Sequence, residues 1–210
     1  MTMWEALVSG AKRLLDILLA GCGLIVAAPL ALLLSALIKL EDGGPVFYTQ
    51  ERVGRKGRHF LALKFRSMVP DAEARVGPLQ ASHNDARITR TGRLMRATAM
   101  DELPQLWNIF RGDMSFVGPR ALRPGEIEVN GRGNMERLED VPGFALRCAV
   151  VPGLTGIAQI YAPRDVTRRH KFRYDKVYIR RQSFWLDVRL ILLSFWITFR
   201  GTWEARERKF

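Results

Sequence analysis

The chain has 210 residues, 48% of them hydrophobic, which is enough for one packed core and a membrane element but not for a second full domain. Its formal net charge of +12 requires anionic surroundings, which nucleic acid, anionic lipid headgroups or phosphorylated substrates would all provide. The two cysteines, Cys22 and Cys148, and the three histidines lack the spacing of zinc ligands, and we expect two buried free thiols.

The first predicted element is an apolar helix. Residues 17–38 carry no charged side chain and, as a helix, would extend roughly 33 Å, enough to span a bilayer. Pro29 lies near the middle, where it removes a backbone hydrogen bond and predicts a kink. Basic residues flank both ends, so the positive-inside rule favours no direction of crossing. We expect a re-entrant helix with both ends on the cytoplasmic side. The alternatives are a membrane span, a buried core helix and a signal peptide cleaved before Pro29.

A β-hairpin is the next predicted element. Short runs rich in β-branched and aromatic residues at 45–50 and 59–66 flank a turn at 54–57 that begins and ends with glycine. A polar segment follows as far as Asn84, and its composition predicts flexibility without indicating a function.

The second half of the chain is predicted to be mainly helical. Short helices are expected at 91–98 and 102–110, and Gly112 supplies the end of the second. Residues 141–159 are rich in proline, glycine and β-branched residues, which favours loop and strand. The highly charged segment 166–181 has helical spacing.

The C-terminal segment is predicted to lie in a membrane interface. Residues 190–199 are apolar but too short to span a bilayer. Trp185, Trp196 and Trp203 are the kind of aromatic residue that an interfacial helix carries.

An adjacent pair of acidic residues, Asp101 and Glu102, lies between the two short central helices. We place Asp101 at the N-cap of the second helix, with Pro104 in its first turn. Helix starts favour acidic residues, so an isolated pair of this kind is most often structural. A carboxylate kept ionised by the helix dipole is, however, able to attack a phosphorus atom, and Glu102 beside it is a suitable ligand for Mg²⁺.

Arginines near this pair strengthen the chemical interpretation. Arg96 precedes the pair and Arg120 follows it, and guanidinium groups bind phosphate through two parallel hydrogen bonds. A lone arginine is more often a surface charge, so the hypothesis depends on the whole group.

Successive segments of the sequence resemble the signature blocks of the bacterial sugar transferases, the monotopic polyprenol-phosphate phosphoglycosyl transferases. They are KFRSM at 64–68, RITRTG at 87–92, DELPQLWN at 101–108, GDMSFVGPR at 112–120, PGLTG at 152–156, and the segment 171–178 followed by WLD at 185–187. The resemblance extends over roughly residues 10–195, in order, which makes chance an unsatisfactory explanation.

The resemblance implies a small α/β-type catalytic domain with a re-entrant N-terminal membrane helix that is broken by a proline, and with interfacial amphipathic helices. On this basis residues 1–40 form the membrane-associated helix, broken at Pro29, and residues 41–210 form the catalytic domain. The implied location is the cytoplasmic face of the bacterial inner membrane.

The resemblance also implies a two-step reaction. Asp101 attacks the β-phosphate of a UDP-sugar, UMP leaves, and the phospho-sugar held on Asp101 passes to undecaprenyl phosphate. Glu102 corresponds to the family's Mg²⁺ ligand, and we expect Mn²⁺ to be tolerated in its place. Lys64, Arg96 and Arg120 correspond to positions associated with phosphate binding.

The implied partners are a UDP-sugar, undecaprenyl phosphate and membrane lipids, with no nucleic acid, and a homodimer remains open. Such an enzyme initiates an exopolysaccharide, O-antigen, capsule or glycoprotein glycan on a lipid carrier. The chain length is that expected of a minimal, single-function member. Neither the sugar nor the pathway follows from the sequence.

The sequence departs from the family pattern at two places. The family commonly has serine before the helix-breaking proline, whereas this chain has Ala28 before Pro29. The family often has Asn-Gly after its Gly-x-Ala-Gln, whereas Ile160 and Tyr161 follow residues 156–159 here. The first departure concerns the hairpin angle, and the second concerns the pocket for the sugar or nucleotide.

Proteins of two other classes remain as rivals. A non-catalytic scaffold on a membrane surface would explain the charge and the apolar segments but not the acidic pair among arginines, and it would release no UMP from a UDP-sugar. A nucleic-acid-binding protein would explain the pI of about 10.5. The sequence contains no helix-turn-helix, zinc-finger or RNA-recognition pattern to support that rival.

Overall fold

The computed structural model describes residues 3–70, 72, 85–129, 135–163 and 166–200. The helices of this part are α1 (Met3–Asp42), α2 (Arg90–Ala97), α3 (Gln105–Arg111), α4 (Phe144–Arg147), α5 (Ile157–Tyr161), α6 (Arg168–Arg181) and α7 (Phe184–Phe199). The strands are β1 (Phe47–Val53), β2 (His59–Phe65), β3 (Ser115–Val117), β4 (Ile127–Val129), β5 (Met135–Arg137) and β6 (Gly153–Thr155). Short 3₁₀ turns lie at Arg55–Gly57, Met100–Glu102 and Leu138–Asp140. The fold is therefore a mixed helix and sheet domain with one long apolar N-terminal helix.

Helix α1 continues through Pro29 as a single helix, so the predicted proline break is not confirmed. Its segment Gly10–Asp42 is long and apolar enough to cross a membrane, and the rest of the chain covers only a small part of it. Cys22 is exposed on this helix and Cys148 is half-buried, so the prediction that both free thiols are buried is wrong. The reason at Cys22 is that only one face of α1 packs against the domain.

The N-terminal part of α1 is bound to the core by buried polar contacts. Lys12 forms an ion pair with Asp187 of α7, at 2.7 Å, and donates to the carbonyl of Val117 at 2.9 Å. Asp16, one turn further along, accepts a hydrogen bond from the backbone N–H of Phe116 at 3.0 Å. These contacts hold α1 against strand β3 and helix α7.

The C-terminal end of α1 is bound to the same domain. The Glu41 carboxylate accepts from the backbone N–H groups of Arg90 and Thr91 at 2.7 and 3.1 Å, and so caps helix α2. Asp42 forms an ion pair with Arg66, directly after β2. Both ends of the apolar helix therefore contact one body of the protein.

Strands β1 and β2 form the predicted hairpin, which is confirmed with β1 extending to Val53. Their antiparallel register places Lys64 opposite Tyr48 and Arg52 opposite Phe60. Side chains directly opposite each other lie on the same face of a sheet, and so does every second side chain along one strand. Arg52 is four residues after Tyr48 on β1, so Lys64 and Arg52 project from one face of the hairpin.

Strands β3 and β6 are parallel neighbours, and two of the sequence motifs meet there. A Cβ atom on Gly153 would lie 2.0 Å from the backbone nitrogen of Gly118, and one on Gly118 would lie 2.4 Å from the carbonyl oxygen of Val151. Only glycine fits this approach of two backbones. The prediction of loop and strand for residues 141–159 holds for β6 but misses the short helices α4 and α5.

The main core joins α1, α3, β3, α5, α6 and α7. Its fully or nearly buried members are Ala20, Leu106, Ile109, Met114, Phe116, Val117, Ile160, Tyr178, Leu190, Ile191 and Ile197. The charged helix predicted at 166–181 is confirmed as α6, and the apolar C-terminal segment is part of the longer α7. Trp185 and Trp196 are 77% and 50% exposed on α7, as expected for an interfacial helix, whereas Trp203 lies outside the described residues.

Candidate active site

The acidic pair lies in the 3₁₀ turn Met100–Glu102, which follows Ala99 in a left-handed conformation with φ of 56°. Helix α3 begins only at Gln105, with Pro104 at its N-cap. The prediction that Asp101 is the N-cap of this helix is therefore wrong. The left-handed residue turns the chain before the acidic pair, so the Asp101 carboxylate faces Lys64 instead of the first N–H groups of α3.

Two cations from separate strands converge on the pair. Lys64 Nζ on β2 lies 2.5 Å from Glu102 Oε1 and 3.9 Å from Asp101 Oδ2. Arg120, just after β3, places a guanidinium nitrogen 3.4 Å from the same Glu102 oxygen. The structure thus brings together Lys64, Asp101, Glu102 and Arg120, four of the residues predicted from the sequence.

Arg96, the other predicted phosphate ligand, lies on α2 beside the pair. Its charge lowers the pKa of Asp101. Within the described part of the chain no hydrogen bond or ion pair joins its side chain to Asp101 or Glu102. Arg96 is near the site but is not part of the directly bonded group.

The two carboxyl groups have opposite pKa shifts. Burial raises the pKa of Asp101 to about 6, and the neighbouring Glu102 adds to this, whereas Lys64, Arg96 and Arg120 oppose it. At Glu102 burial also acts upward, but Lys64 and Arg120 outweigh it and bring the pKa to about 2. Both groups are ionised at neutral pH. The expected helix-dipole effect does not keep Asp101 strongly acidic, because Asp101 is not at a helix start.

Helix α3 holds Lys64 in place through Asn108. The Asn108 side chain donates to the carbonyl of Leu61 at 2.8 Å and accepts from the backbone N–H of Leu63 at 2.9 Å. Asn108 therefore fixes β2 directly before Lys64. The sequence motif contains this residue, but its pattern did not indicate the role.

Arg120 is positioned by its backbone. It forms a parallel bridge with Gly153, whose N–H donates to the carbonyl of Pro119 at 2.9 Å. The buried Arg147 donates to the carbonyl of Arg120 at 2.7 Å and is itself paired with Asp175 at 3.0 Å. Sequence reasoning missed Arg147, since its partners lie 27 and 28 residues away.

An open cleft adjoins the pair. Its lining side chains and backbone belong to Arg52, Ala62, Lys64, Glu102, Gln105, Met114, Arg120, Ala121, Gly153 and Leu154. Asp101 is not in this lining, and its side chain is 14% exposed beside Lys64. Arg52 and Gln105 were not predicted as site residues, because only the hairpin register and the start of α3 bring them to the cleft.

The carboxylates are suitable for a hard divalent cation. Mg²⁺ in proteins usually rests on one or two carboxylates and takes its other ligands from water and substrate phosphates. Among the described residues there is no cluster of three or more acidic, histidine or cysteine side chains that would hold a metal alone. The Asp101 carboxylate accepts no hydrogen bond in this part of the chain, which leaves its oxygens available to a cation, so the donor set fits Mg²⁺ together with a phosphorylated substrate.

Comparison with known proteins identifies the family. The sequence profile of the bacterial sugar transferases matches residues 7–201. The chain belongs to this family. The resemblance in the sequence motifs is thereby confirmed, and most of the residues that line the cleft of this bacterial sugar transferase belong to those motifs.

Curated relatives share between a third and two fifths of their residues with this sugar transferase. The undecaprenyl-phosphate glucose phosphotransferase of Komagataeibacter xylinus is 41% identical over 188 residues, which are 87% of this chain and 35% of the relative. The exopolysaccharide production protein ExoY of Rhizobium meliloti (strain 1021) is 37% identical over 195 residues, 86% of this chain and 82% of the relative. The UDP-N-acetylgalactosamine-undecaprenyl-phosphate N-acetylgalactosaminephosphotransferase of Aeromonas hydrophila is 39% identical over 183 residues, 86% of this chain and 41% of the relative. The chain thus spans well under half of the first and third relatives.

Proposed function

We propose that the protein transfers a sugar 1-phosphate from a UDP-sugar to undecaprenyl phosphate, releases UMP, and so begins a polysaccharide on a lipid carrier. The observation that carries this proposal is the acidic pair Asp101 and Glu102 bound by Lys64 and Arg120 beside an open cleft, with the charge of Arg96 nearby. Relatives whose names give a UDP-sugar donor and an undecaprenyl-phosphate acceptor support the choice of substrates.

The chemistry we propose has two displacements at phosphorus. An Asp101 carboxylate oxygen forms a bond to the β-phosphorus of the UDP-sugar, and the bond from that phosphorus to the bridging oxygen breaks, so UMP leaves with the electron pair. An oxygen of undecaprenyl phosphate then attacks the same phosphorus and releases the Asp101 carboxylate. The product is an undecaprenyl diphosphate sugar.

Asp101, not Glu102, is the better candidate for the nucleophile. Glu102 is engaged at 2.5 Å by Lys64 and at 3.4 Å by Arg120, whereas the nearest cation to Asp101 is Lys64, at 3.9 Å. A carboxylate with a raised pKa and few hydrogen bonds is a stronger base than one held by two cations. Lys64, Arg96 and Arg120 would hold the phosphoryl oxygens, whose negative charge they match.

Glu102 and Asp101 together would hold Mg²⁺. We expect Mn²⁺ to be tolerated in place of Mg²⁺. When bound, the cation neutralises charge on the donor phosphates. EDTA should abolish UMP release and added Mg²⁺ should restore it. Full activity in EDTA would remove the metal role from Glu102.

We also propose that α1, a single helix through Pro29 in this structure, bends there within the membrane, so that it enters and leaves on the cytoplasmic side of the bacterial inner membrane. The supporting observation is that Lys12 and Asp16 near one end, and Glu41 and Asp42 at the other, bind the same domain. In a variant whose native cysteines are replaced by serine, single cysteines at Met3 and Glu126 should react with an impermeant maleimide from the same side. Labelling from opposite sides would contradict the re-entrant path.

The central test uses Asp101→Asn. The amide cannot form the acyl phosphate, so UMP release should fall by at least about 10³-fold while the protein still folds. Wild-type protein given a UDP-sugar without lipid acceptor should gain the mass of one phospho-sugar on Asp101. Asp140→Asn, which changes an exposed acid, is the matched control and should keep full activity.

The result that would overturn the mechanism is a phospho-sugar adduct on another residue, or near-normal turnover by Asp101→Asn. A panel of UDP-sugars in the same assay identifies the sugar. Release of UMP from none of them would favour the scaffold interpretation instead.

A further inference from the structure

Arg52 supplies a further cation to the cleft, and it makes no ion pair or hydrogen bond with the acidic pair. It is half-buried near the end of β1, and its guanidinium donates to the carbonyl of Ala121 at 3.0 Å and to the Gln50 side chain. It lines the same cleft as Lys64 and Glu102. Neither of these hydrogen-bond partners is a carboxylate, so within the part of the chain that the structure describes no direct contact neutralises its charge.

The hairpin register separates Arg52 from Lys64. Arg52 is opposite Phe60, four residues before Lys64 on β2, which corresponds to about 13 Å along the strand. Both side chains project from the same face and reach one cleft. Lys64 thus contacts the acidic pair directly, whereas Arg52 reaches the cleft from nearer the hairpin turn, close enough for its charge to lower the pKa of Glu102.

The surroundings of Arg52 favour an anion. Burial lowers its pKa to about 10, and the nearby charges of Arg120 and Arg123 lower it further than Glu126 and Glu102 raise it. A guanidinium has five N–H groups, of which these two contacts occupy two. The remaining donors and the excess positive charge are what a phosphate would use.

Gln105, the first residue of helix α3, provides an independent observation. The residue is only 5% exposed and lines the cleft, and within the described residues its side chain makes no hydrogen bond. Its amide group is not fully enclosed, so its donor and acceptor are accessible to a ligand in the cleft. The amide and the Arg52 guanidinium face the same space.

We infer that Arg52 and Gln105 form a subsite for the phosphate that stays on the nucleotide, the one carried away in UMP. The inference rests on the proposed function, because it assigns the two phosphates of a UDP-sugar to neighbouring groups of residues in one cleft. Lys64 and Arg120 hold the phosphate attacked by Asp101, and Arg52 holds the leaving one. In this arrangement Arg52 stabilises the negative charge that develops on UMP.

The test compares UMP with uridine, which differ only by this phosphate. Binding of each to the full-length protein in detergent is measured by calorimetry for wild type, Arg52→Gln and Arg58→Gln. Arg52→Gln should weaken UMP binding about 10- to 100-fold and leave uridine binding unchanged. Arg58→Gln is the control, because Arg58 is exposed on the same hairpin. This substitution also removes one positive charge, and it should leave the preference for UMP over uridine unchanged.

A double-mutant cycle excludes an indirect effect through Arg120, because Arg52 also holds the carbonyl of Ala121 next to it. If Arg52 binds phosphate directly, Arg52→Gln should weaken UMP binding further in an Arg120→Gln background. No further loss in that background would show that Arg52 only positions Arg120, and would overturn the inference.

The remaining outcomes separate this inference from the proposed function. Should Arg52→Gln fail to fold, Arg52→Lys takes its place, and it should still lose UMP affinity because an ammonium lacks the planar fork. Unchanged preference for UMP in these variants overturns the subsite and leaves the transferase function intact. Failure of wild-type protein to bind either UMP or a UDP-sugar overturns both.

Discussion

Two buried aspartates of this protein are held in different ways. Asp187, at the start of α7, pairs with Lys12 at 2.7 Å and accepts from Tyr178 Oη at 2.9 Å. Among the described residues, the side chain of Asp101 is paired with Lys64 alone, at 3.9 Å. Burial raises the pKa of both carboxyls. At Asp187 the charge of Lys12 and hydrogen bonds from Lys12 and Tyr178 oppose this, whereas at Asp101 only the charges of nearby cations do.

The difference shows how one chain uses burial for two purposes. The carboxylate that anchors α1 has its hydrogen bonds supplied by the protein, which stabilises the fold only while both partners remain. The carboxylate of the acidic pair is left short of partners next to Glu102, at a cost in stability that a bound substrate or cation would remove. Substitutions at the two positions should therefore act in opposite directions on stability.

The largest effect on stability is expected at Asp187, which pairs with Lys12 of α1. Asp187→Ala leaves the Lys12 ammonium buried without its counter-charge, and should lower the free energy of unfolding by about 3–5 kcal/mol. Denaturant unfolding of the purified protein in detergent measures this. Lys12→Met combined with Asp187→Leu removes both charges and should recover most of the stability. A double variant as unstable as the single one would contradict the ion-pair interpretation.

The opposite sign is expected for Asp101→Asn at neutral pH in EDTA. The folded state raises the pKa of Asp101 from 3.8 to about 6, so wild type loses stability as pH rises between these values. The amide of Asp101→Asn does not titrate over this pH range. The free energy of unfolding of the variant relative to wild type should therefore increase as pH rises, by at most about 3 kcal/mol. Unfolding curves at pH 4 to 8 measure the difference. A difference that does not change with pH would show that burial does not raise the pKa of Asp101.

A smaller effect is expected at Asn108, which supports the site without touching its charges. Asn108→Ala leaves the carbonyl of Leu61 and the N–H of Leu63 without these partners, which should cost about 1–3 kcal/mol. Because β2 then positions Lys64 less firmly, UMP release should fall as well. Stability loss with unchanged turnover would mean that Lys64 does not depend on this clamp.

The smallest effect is expected at Ala99, the strained residue before the acidic pair. Glycine adopts a φ of 56° without the steric cost that alanine has, so Ala99→Gly should raise the free energy of unfolding by about 0.5–1 kcal/mol. Thermal unfolding in detergent measures the change. A loss of stability would indicate that the Ala99 methyl group contributes more through packing than its backbone costs.

Local patterns in the sequence determined much of this protein. The apolar segment that became α1, the hairpin β1–β2, the charged helix α6 and the end of α3 at Gly112 all follow from spacing, composition and turn residues within short windows. The acidic pair and the family followed from ordered motifs. Such features are specified by residues that are close together in the sequence.

The tertiary structure decided which side chains meet. Arg120 and Lys64 reach Glu102 from 18 and 38 residues away, because β3 pairs with β6 and because Asn108 binds β2 to α3. Asp101 differs from the predicted N-cap because Ala99 turns the chain before it, and Arg52 enters the cleft only through the hairpin register. These arrangements depend on contacts between distant strands and on close backbone approach at glycines, which no local pattern of residues encodes.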